Sequence, residues 1–163
     1  MEKLIDYLAD RPDFIPAIAA GTQVQYAELW PERTLEWRID RLRAHLNRRA
    51  LPIAWVMHDG QQALGTAALR VTDFPGMDHL TPWLGGVFVF PEFRGHGLGK
   101  HLCRRVEQEA IRRGMLELYL GTFDIHAWYG AMGWELFHSG TLQGRPCDVM
   151  RKTLKVENQD LRR

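Results

Sequence analysis

The run Arg94-Gly95-His96-Gly97-Leu98-Gly99-Lys100 has the residue types and spacing to hold an anion. Three glycines alternate with larger residues where the apolar stretch Trp83–Phe90 ends at Pro91 and an amphipathic stretch begins at Leu98. Glycine allows backbone angles and close approaches that a side chain forbids. The first turn of a helix presents N–H groups without intrahelical partners, together with the positive end of the helix dipole. A strand, a glycine loop and a helix start therefore make a seat for a phosphate or diphosphate, and Arg94 and Lys100 add positive charge at its edges.

Several elements must position that loop. Leu98, Leu102, Val106 and Ala110 recur every four residues, which predicts a helix over 98–113 with Gly114 as its stop. Residues 83–90 and 115–120 read as strands, so the three elements form a strand–helix–strand unit with parallel strands and a right-handed crossover. Upstream, 51–58 and 63–72 form a hairpin around Asp59-Gly60-Gln61-Gln62. A loop runs from Asp73 to Thr81. Helices are expected over 12–25 and 34–47, the second with Leu35, Ile39, Leu42 and Leu46 inward and Arg38, Arg41, Arg43 and Arg48 on a solvated face. Residues 2–8 read as a strand or a short helix. A short helix over 125–132 and a hairpin of 134–139 with 148–154 close the chain, and the polar tail after Lys155 is expected to fray. The order predicts an α+β fold, a single domain over 1–163 with one central mixed sheet flanked by helices.

Three phosphate-binding patterns compete for the glycine loop. A Walker loop needs glycine where Arg94 stands and Ser or Thr where His101 stands. A dinucleotide fingerprint needs Gly-x-Gly-x-x-Gly in the first unit of the chain, whereas Gly95, Gly97 and Gly99 lie late and are spaced Gly-x-Gly-x-Gly. The third pattern is Arg/Gln-x-x-Gly-x-Gly/Ala preceded by Val-x-Pro, which Arg94, Gly97, Gly99, Val89 and Pro91 satisfy. It resembles the acetyl-CoA-binding motif of the GNAT family of N-acetyltransferases. The run Tyr129-Gly130-Ala131-Met132-Gly133-Trp134 resembles that family's Tyr-x-x-x-Gly-Phe signature, and a predicted strand separates the two motifs as the family requires. The resemblance covers about residues 51–154, and the whole chain more loosely.

The resemblance implies a mostly antiparallel sheet splayed between strands 83–90 and 115–120. It implies acetyl-CoA as cosubstrate, with its diphosphate on the amides of Arg94, Gly95, His96, Gly97, Leu98, Gly99 and Lys100, and its pantetheine arm along Val87, Phe88 and Val89. Gly85 and Gly86 suit such a splay, because consecutive glycines in a strand mark a bulge or a close backbone approach; marking only a strand start is the other reading. The chemistry implied is direct attack of a primary amine on the thioester, with a backbone N–H near Val89 polarising the carbonyl. Tyr129 corresponds to the family tyrosine that protonates the departing sulfur; an aromatic packed under the helix is the other reading. The cofactor-binding core then spans about 83–134, and the acceptor side draws on 10–50, 73–82 and 135–154.

The base that deprotonates the amine is open. Asp78 is the first candidate, beside His79, Glu92, Asp124 and His126, all near the cofactor segment in sequence. The asparagine that many family members carry after the fifth strand is missing from Gly121-Thr122-Phe123-Asp124. Trp30, Trp83 and Trp128 are expected either in the core or shaping an acceptor pocket. The acceptor itself stays open between a small molecule and a peptide or protein amine, and a non-catalytic acyl-CoA-binding sensor is the alternative to an enzyme.

Composition narrows the rest. The net charge of +1 in 163 residues argues against broad affinity for nucleic acid. Seven histidines and two cysteines show no metal-ligand spacing, so no metal is expected. Cys103 and Cys147 suit a reducing compartment as free thiols, Cys103 as a buried one. The charged start Met1-Glu2-Lys3 lacks an apolar core and no stretch is apolar enough to span a bilayer, so a cytoplasmic location without membrane contact is expected. A homodimer is compatible with the resemblance.

Overall fold

The computed structural model describes residues 2–155; the tail expected to fray after Lys155 lies outside them. Its elements are β1 (Leu4–Tyr7), α1 (Ile15–Tyr26), α2 (Leu35–Ala44), β2 (Ile53–His58), β3 (Ala63–Arg70), β4 (Trp83–Val89), α3 (Leu98–Arg112), β5 (Glu117–Thr122), α4 (His126–Gly130), β6 (Glu135–Leu142) and β7 (Arg145–Thr153). The seven strands form one sheet in the order β1-β2-β3-β4-β5-β7-β6. Every neighbouring pair is antiparallel except β4 and β5, which are parallel and joined through α3. This is the expected α+β sheet.

β2 and β3 are buried along almost their whole length, which is why they read as continuous apolar runs without alternation. α3 covers one face, burying Leu98, Leu102, Val106 and Ala110 against Trp55, Leu64 and Leu69. On the other face, Ile15 and Ile18 of α1 pack on Ala54, Val56 and Ala68. Each large apolar side chain so buried stabilises the fold by roughly 1.5–3 kcal/mol. The β2–β3 turn is closed by Asp59, whose Oδ1 accepts from the N–H groups of Gln61 and Gln62 at 3.0 and 2.9 Å. Several bounds shift from expectation: the strand after α3 starts at Glu117 instead of 115, α4 is shorter than 125–132, α2 ends at Ala44 instead of 47, and the closing hairpin extends inward to Leu142 and Arg145. No helix among the described residues is long and apolar enough to cross a membrane.

The helix over 34–47 needs a correction. Ile39, Leu42 and Leu46 pack on the α1 cluster as expected, but Leu35 is exposed. The arginines are not all on a solvated face. Arg43 and Arg48 are exposed, whereas Arg38 is buried and Arg41 half-buried. Arg38, Arg41, Leu42 and His45 follow helical i, i+3, i+4, i+7 spacing and line one side of a cleft beside the sheet. That second inward face was invisible to a reading in which polar means solvated.

Gly65 of β3 lies opposite Val89, and a Cβ there would come within 2.7 Å of the Phe88 carbonyl oxygen and 3.0 Å of Leu102. Backbone cannot give way as a side-chain end can. Gly65→Ala is therefore expected to destabilise the fold by about 1–3 kcal/mol, lowering Tm by roughly 2–4 °C per kcal/mol. An unchanged thermal unfolding curve would show that β3 has slack at this point.

Candidate active site

β4 and β5 share one register pair, Trp83 with Tyr119, supported by the Tyr119 N–H donating to the Pro82 carbonyl at 3.1 Å. Beyond that point the strands separate, and among the described residues no ladder continues from Gly85 to Val89 on the β5 side. The cause lies on the opposite edge. Between Thr66–Phe88 and Ala68–Gly85 the β3–β4 register slips, which places a bulge on β4. Gly86 sits there at φ 59°, in the left-handed region that costs a residue with a Cβ roughly 1–2 kcal/mol. A bulge bends its strand and increases the local twist, turning β4 away from β5. The wedge opens into a cleft of about 710 Å³.

The glycine loop stands at the far end of β4. Gly97 begins α3 at φ 77°, and no N–H from Gly95 to Lys100 donates to a protein acceptor among the described residues. Gly95, His96, Gly97 and Lys100 are exposed, Leu98 is buried and Gly99 half-buried. Gly99 answers a different need: a Cβ would meet the Trp128 ring at 3.1 Å. Arg94 adds more than charge. Its Nε donates to the Val89 carbonyl at 2.9 Å and its Nη2 to Gln25 Oε1 at 2.9 Å, which ties the loop to β4 and α1.

The sequence profile of the acetyltransferase (GNAT) family matches residues 22–134. The chain belongs to that family. A sequence search against curated proteins finds no match. Among solved structures, an aminoglycoside 6'-acetyltransferase type Ii superposes with a TM-score of 0.74 at 20% identity, covering 94% of this chain and 98% of its own. An aminoglycoside 6'-N-acetyltransferase complexed with coenzyme A gives 0.74 at 17% identity, with the same coverage. The PaiA N-acetyltransferase of Thermoplasma acidophilum, in complex with coenzyme A, gives 0.67 at 18% identity, over 94% of this chain and 99% of its own. At such identities these likenesses establish the shared GNAT fold.

Within this GNAT fold the expected site residues divide between the cleft and the loop. Val87, Tyr129 and Asp78 line the cleft. Phe88 turns its ring away, 5.0 Å from that of Phe90 on the α1 side, and Val89 packs against the cluster under α3. Tyr129 is 6% exposed, with Trp128 and Trp134 edge-on to its ring at 4.8 and 6.2 Å. Because Trp128 also rests on Gly99, it couples the start of α3 to Tyr129. Burial pushes the phenol well above its ordinary pKa, so Tyr129 stays protonated at pH 7 and keeps a hydroxyl proton to donate. The ring is packed, and the residue also forms part of the cleft wall.

The base candidates scatter. Asp78 is exposed on the cleft rim and accepts from Thr72 Oγ1 at 3.3 Å. Asp124 is also on the rim. Glu92 lines a separate groove with Asp13 and Gln62, and His126 faces Asp148 at 3.5 Å. His79 is exposed and not part of the cleft wall. Of the tryptophans proposed for an acceptor pocket, Trp30 lines the cleft and is joined by Trp37, while Trp83 is core and Trp128 packs beside α3. Among the described residues no group of three His, Cys, Asp or Glu side chains is placed to hold a metal.

Sequence reasoning missed a polar cluster beneath the bulge. A Cβ on Gly85 would lie 2.6 Å from Arg70 Nη1 and 2.8 Å from Asp73 Oδ2. Arg70 and Asp73 pair at 2.9 Å, and Arg41 reaches Asp73 at 3.6 Å. The signal was present: two adjacent strand glycines imply that something packs against them, and Arg70 ends an apolar strand three residues before Asp73. His45 completes the cluster. Its Nδ1 lies 2.7 Å from the Arg41 carbonyl and its Nε2 takes the Arg70 Nε–H at 2.9 Å, which requires the neutral ring protonated on Nδ1.

Burial, then the Arg70 charge, lowers the His45 pKa to about 4. His45 is therefore neutral at pH 7 and has no free nitrogen to act as base. The unfolded chain, titrating near 6.5, binds more protons than the folded one between that value and about 4. Stability is full above the unfolded pKa and falls as pH drops through this window, by about 2 kcal/mol between pH 7 and pH 5. Urea unfolding of wild type and His45→Gln at both pH values checks this: the variant should lose most of the dependence. Equal pH slopes would remove His45 from the account.

Proposed function

We propose that the protein transfers an acetyl group from acetyl-CoA to a primary amine, both substrates being bound at once and the amine attacking the thioester directly. The observation that carries this reading is the parting of β4 from β5 after a single register pair, beside a helix start whose amides have no protein acceptor. An extended amide-bearing arm fits against the bare edge of Gly85–Val89, as an added strand does on an exposed sheet edge. A diphosphate fits the amides of Gly95–Lys100, with Arg94 and Lys100 beside them. The two solved relatives in complex with coenzyme A share this fold.

The thioester supplies an activated acetyl carbon. A C–N bond forms to the amine as the C–S bond breaks; the amine gives up a proton and the sulfur gains one. A β4 amide near Val89 polarises the carbonyl. Tyr129, held protonated by burial, gives its proton to the sulfur as the C–S bond breaks and is restored by the proton that the nitrogen sheds as the amide forms. Asp78 at the rim takes the proton of the incoming ammonium, where exposure lets it pass on to water.

Thiol release from acetyl-CoA over a panel of amines tests the proposal. Amine-dependent release, with the acetylated amine found by mass spectrometry, is the expected result. Acetyl-CoA binding without release on any amine would leave a sensor instead of an enzyme.

A further inference from the structure

The acceptor end of the cleft has a charge pattern that composition hides. Arg33, Arg38, Arg41 and Arg70 stand on its inner wall, where Asp73 is the one carboxylate. Glu28, Asp78 and Asp124, with Arg145, are exposed at the rim, where water screens them. Asp73 is already engaged by Arg70 and Arg41, so Arg33 and Arg38 have no carboxylate partner within ion-pair distance among the described residues. Arg38 is 7% exposed, and its Nε donates to Gln23 at 2.7 Å. Its Nη2 is buried with no hydrogen-bond partner among the described residues. Arg38 lines the cleft, and a guanidinium buried with a nitrogen lacking an acceptor is costly unless a ligand offsets its charge.

Three further observations fit. Arg33 lies between Trp30 and Trp37, 4.3 and 4.5 Å above their rings, which fixes its fork in place. Burial lowers the pKa of Arg33, Arg38 and Arg41, the last to about 10; for Arg33 the charge of Arg38 acts in the same direction, and for Arg41 that of Arg70. All three are still protonated at pH 7, and of them only Arg41 has a carboxylate within ion-pair distance among the described residues. The end is also roofed: Trp30 meets Phe123 edge-on at 5.8 Å, and Gln143 Nε2 donates to the Leu29 carbonyl at 3.1 Å. Both contacts tie the α1–α2 connection to the opposite bank and limit what can enter to a small molecule.

Resting on the transferase reading above, we infer that the acceptor is a small amine that also carries a carboxylate, held by Arg38 and Arg33 while its amine faces the bulge at Gly86. A guanidinium fork matches a carboxylate in plane and takes it bidentately. A polycation, such as a polyamine or the aminoglycosides named for two relatives, meets the same wall as like charge. The balance is that of the proposed reaction: one C–N bond is made and one C–S bond broken, while the ammonium sheds two protons, one passed through Asp78 to water before attack and one as the amide forms, and the thiolate takes up one.

The test uses matched amines: α-amino acids, their methyl esters, spermidine and kanamycin, each assayed for thiol release with acetyl-CoA. The acids are expected to exceed their esters in kcat/KM by about 30-fold or more, with spermidine and kanamycin at background. That acid-to-ester ratio should fall toward unity in Arg38→Gln, and, as a second variant away from the buried hydrogen bond, in Arg33→Gln. Esters or polycations turned over as well as the acids would overturn the inference while leaving the transferase reading intact. If no amine is turned over, calorimetry of the same acids on the CoA-loaded protein decides. Binding lost in Arg38→Gln would uphold the carboxylate site although the transferase reading had failed, and no binding to wild type would end the inference.

Discussion

Gly97→Glu is expected to weaken acetyl-CoA binding by about 100-fold or more, near 2.7 kcal/mol. Two effects combine. The carboxylate would project at the mouth of α3, where the helix start favours an anion by roughly 0.3–1 kcal/mol, and it would repel a diphosphate by about 1 kcal/mol per charge pair at 4 Å in water, more in a less polar setting. A Cβ at Gly97 meets nothing within 4 Å, so the fold has room; the backbone angle, φ 77°, adds roughly 1–2 kcal/mol of strain to the folded state. Gly97→Ala carries that strain without the charge and separates the two, with an expected affinity loss under about 10-fold. Calorimetric titration of acetyl-CoA into both variants is the measurement. Wild-type affinity in Gly97→Glu would move the diphosphate off this loop.

Tyr129→Phe should lower kcat by about 100-fold and leave the KM for acetyl-CoA within about threefold, the pattern of a group acting in the transition state alone. The ring stays, and with it the edge-on contacts to Trp128 and Trp134. The hydroxyl has no hydrogen-bond partner among the described residues, as far as direct protein contacts go, so its removal costs the fold little. Burial raises the phenol above its ordinary pKa of 10, and the acid must be protonated to act. Wild-type kcat should therefore hold steady on the alkaline side until pH passes that ordinary value. Equal turnover in the variant would take Tyr129 out of the reaction.

The two motifs were legible because each rests on a backbone requirement that few residues meet. Glycine at 97 is demanded by a left-handed helix start, and periodic Leu98, Leu102, Val106 and Ala110 by a helix with a single buried face. The first strand is ambiguous because Leu4–Tyr7 is short, and α4 is shorter than its pattern because after Gly130 the chain continues in turns, with Met132 N–H donating to the Tyr129 carbonyl and Gly133 N–H to that of Gly130. The arginines of α2 misled for a different reason. Amphipathicity sorts apolar from polar, but it cannot distinguish a polar face in water from one against a cavity, and Arg38 is buried all the same.

By itself, the sequence determined the family, the strand–helix order and the loop that suits a diphosphate, since these follow from local backbone demands and short-range periodicity. Only the tertiary structure decided the rest. It brought Arg33 and Arg38 across from α2 and its approach, Arg70 and Asp73 from the end of β3, and Trp30 against Phe123 over the cleft. Those residues are far apart along the chain, and what unites them is the divergence of two strands around one bulge, a long-range packing outcome that no window of neighbouring residues encodes.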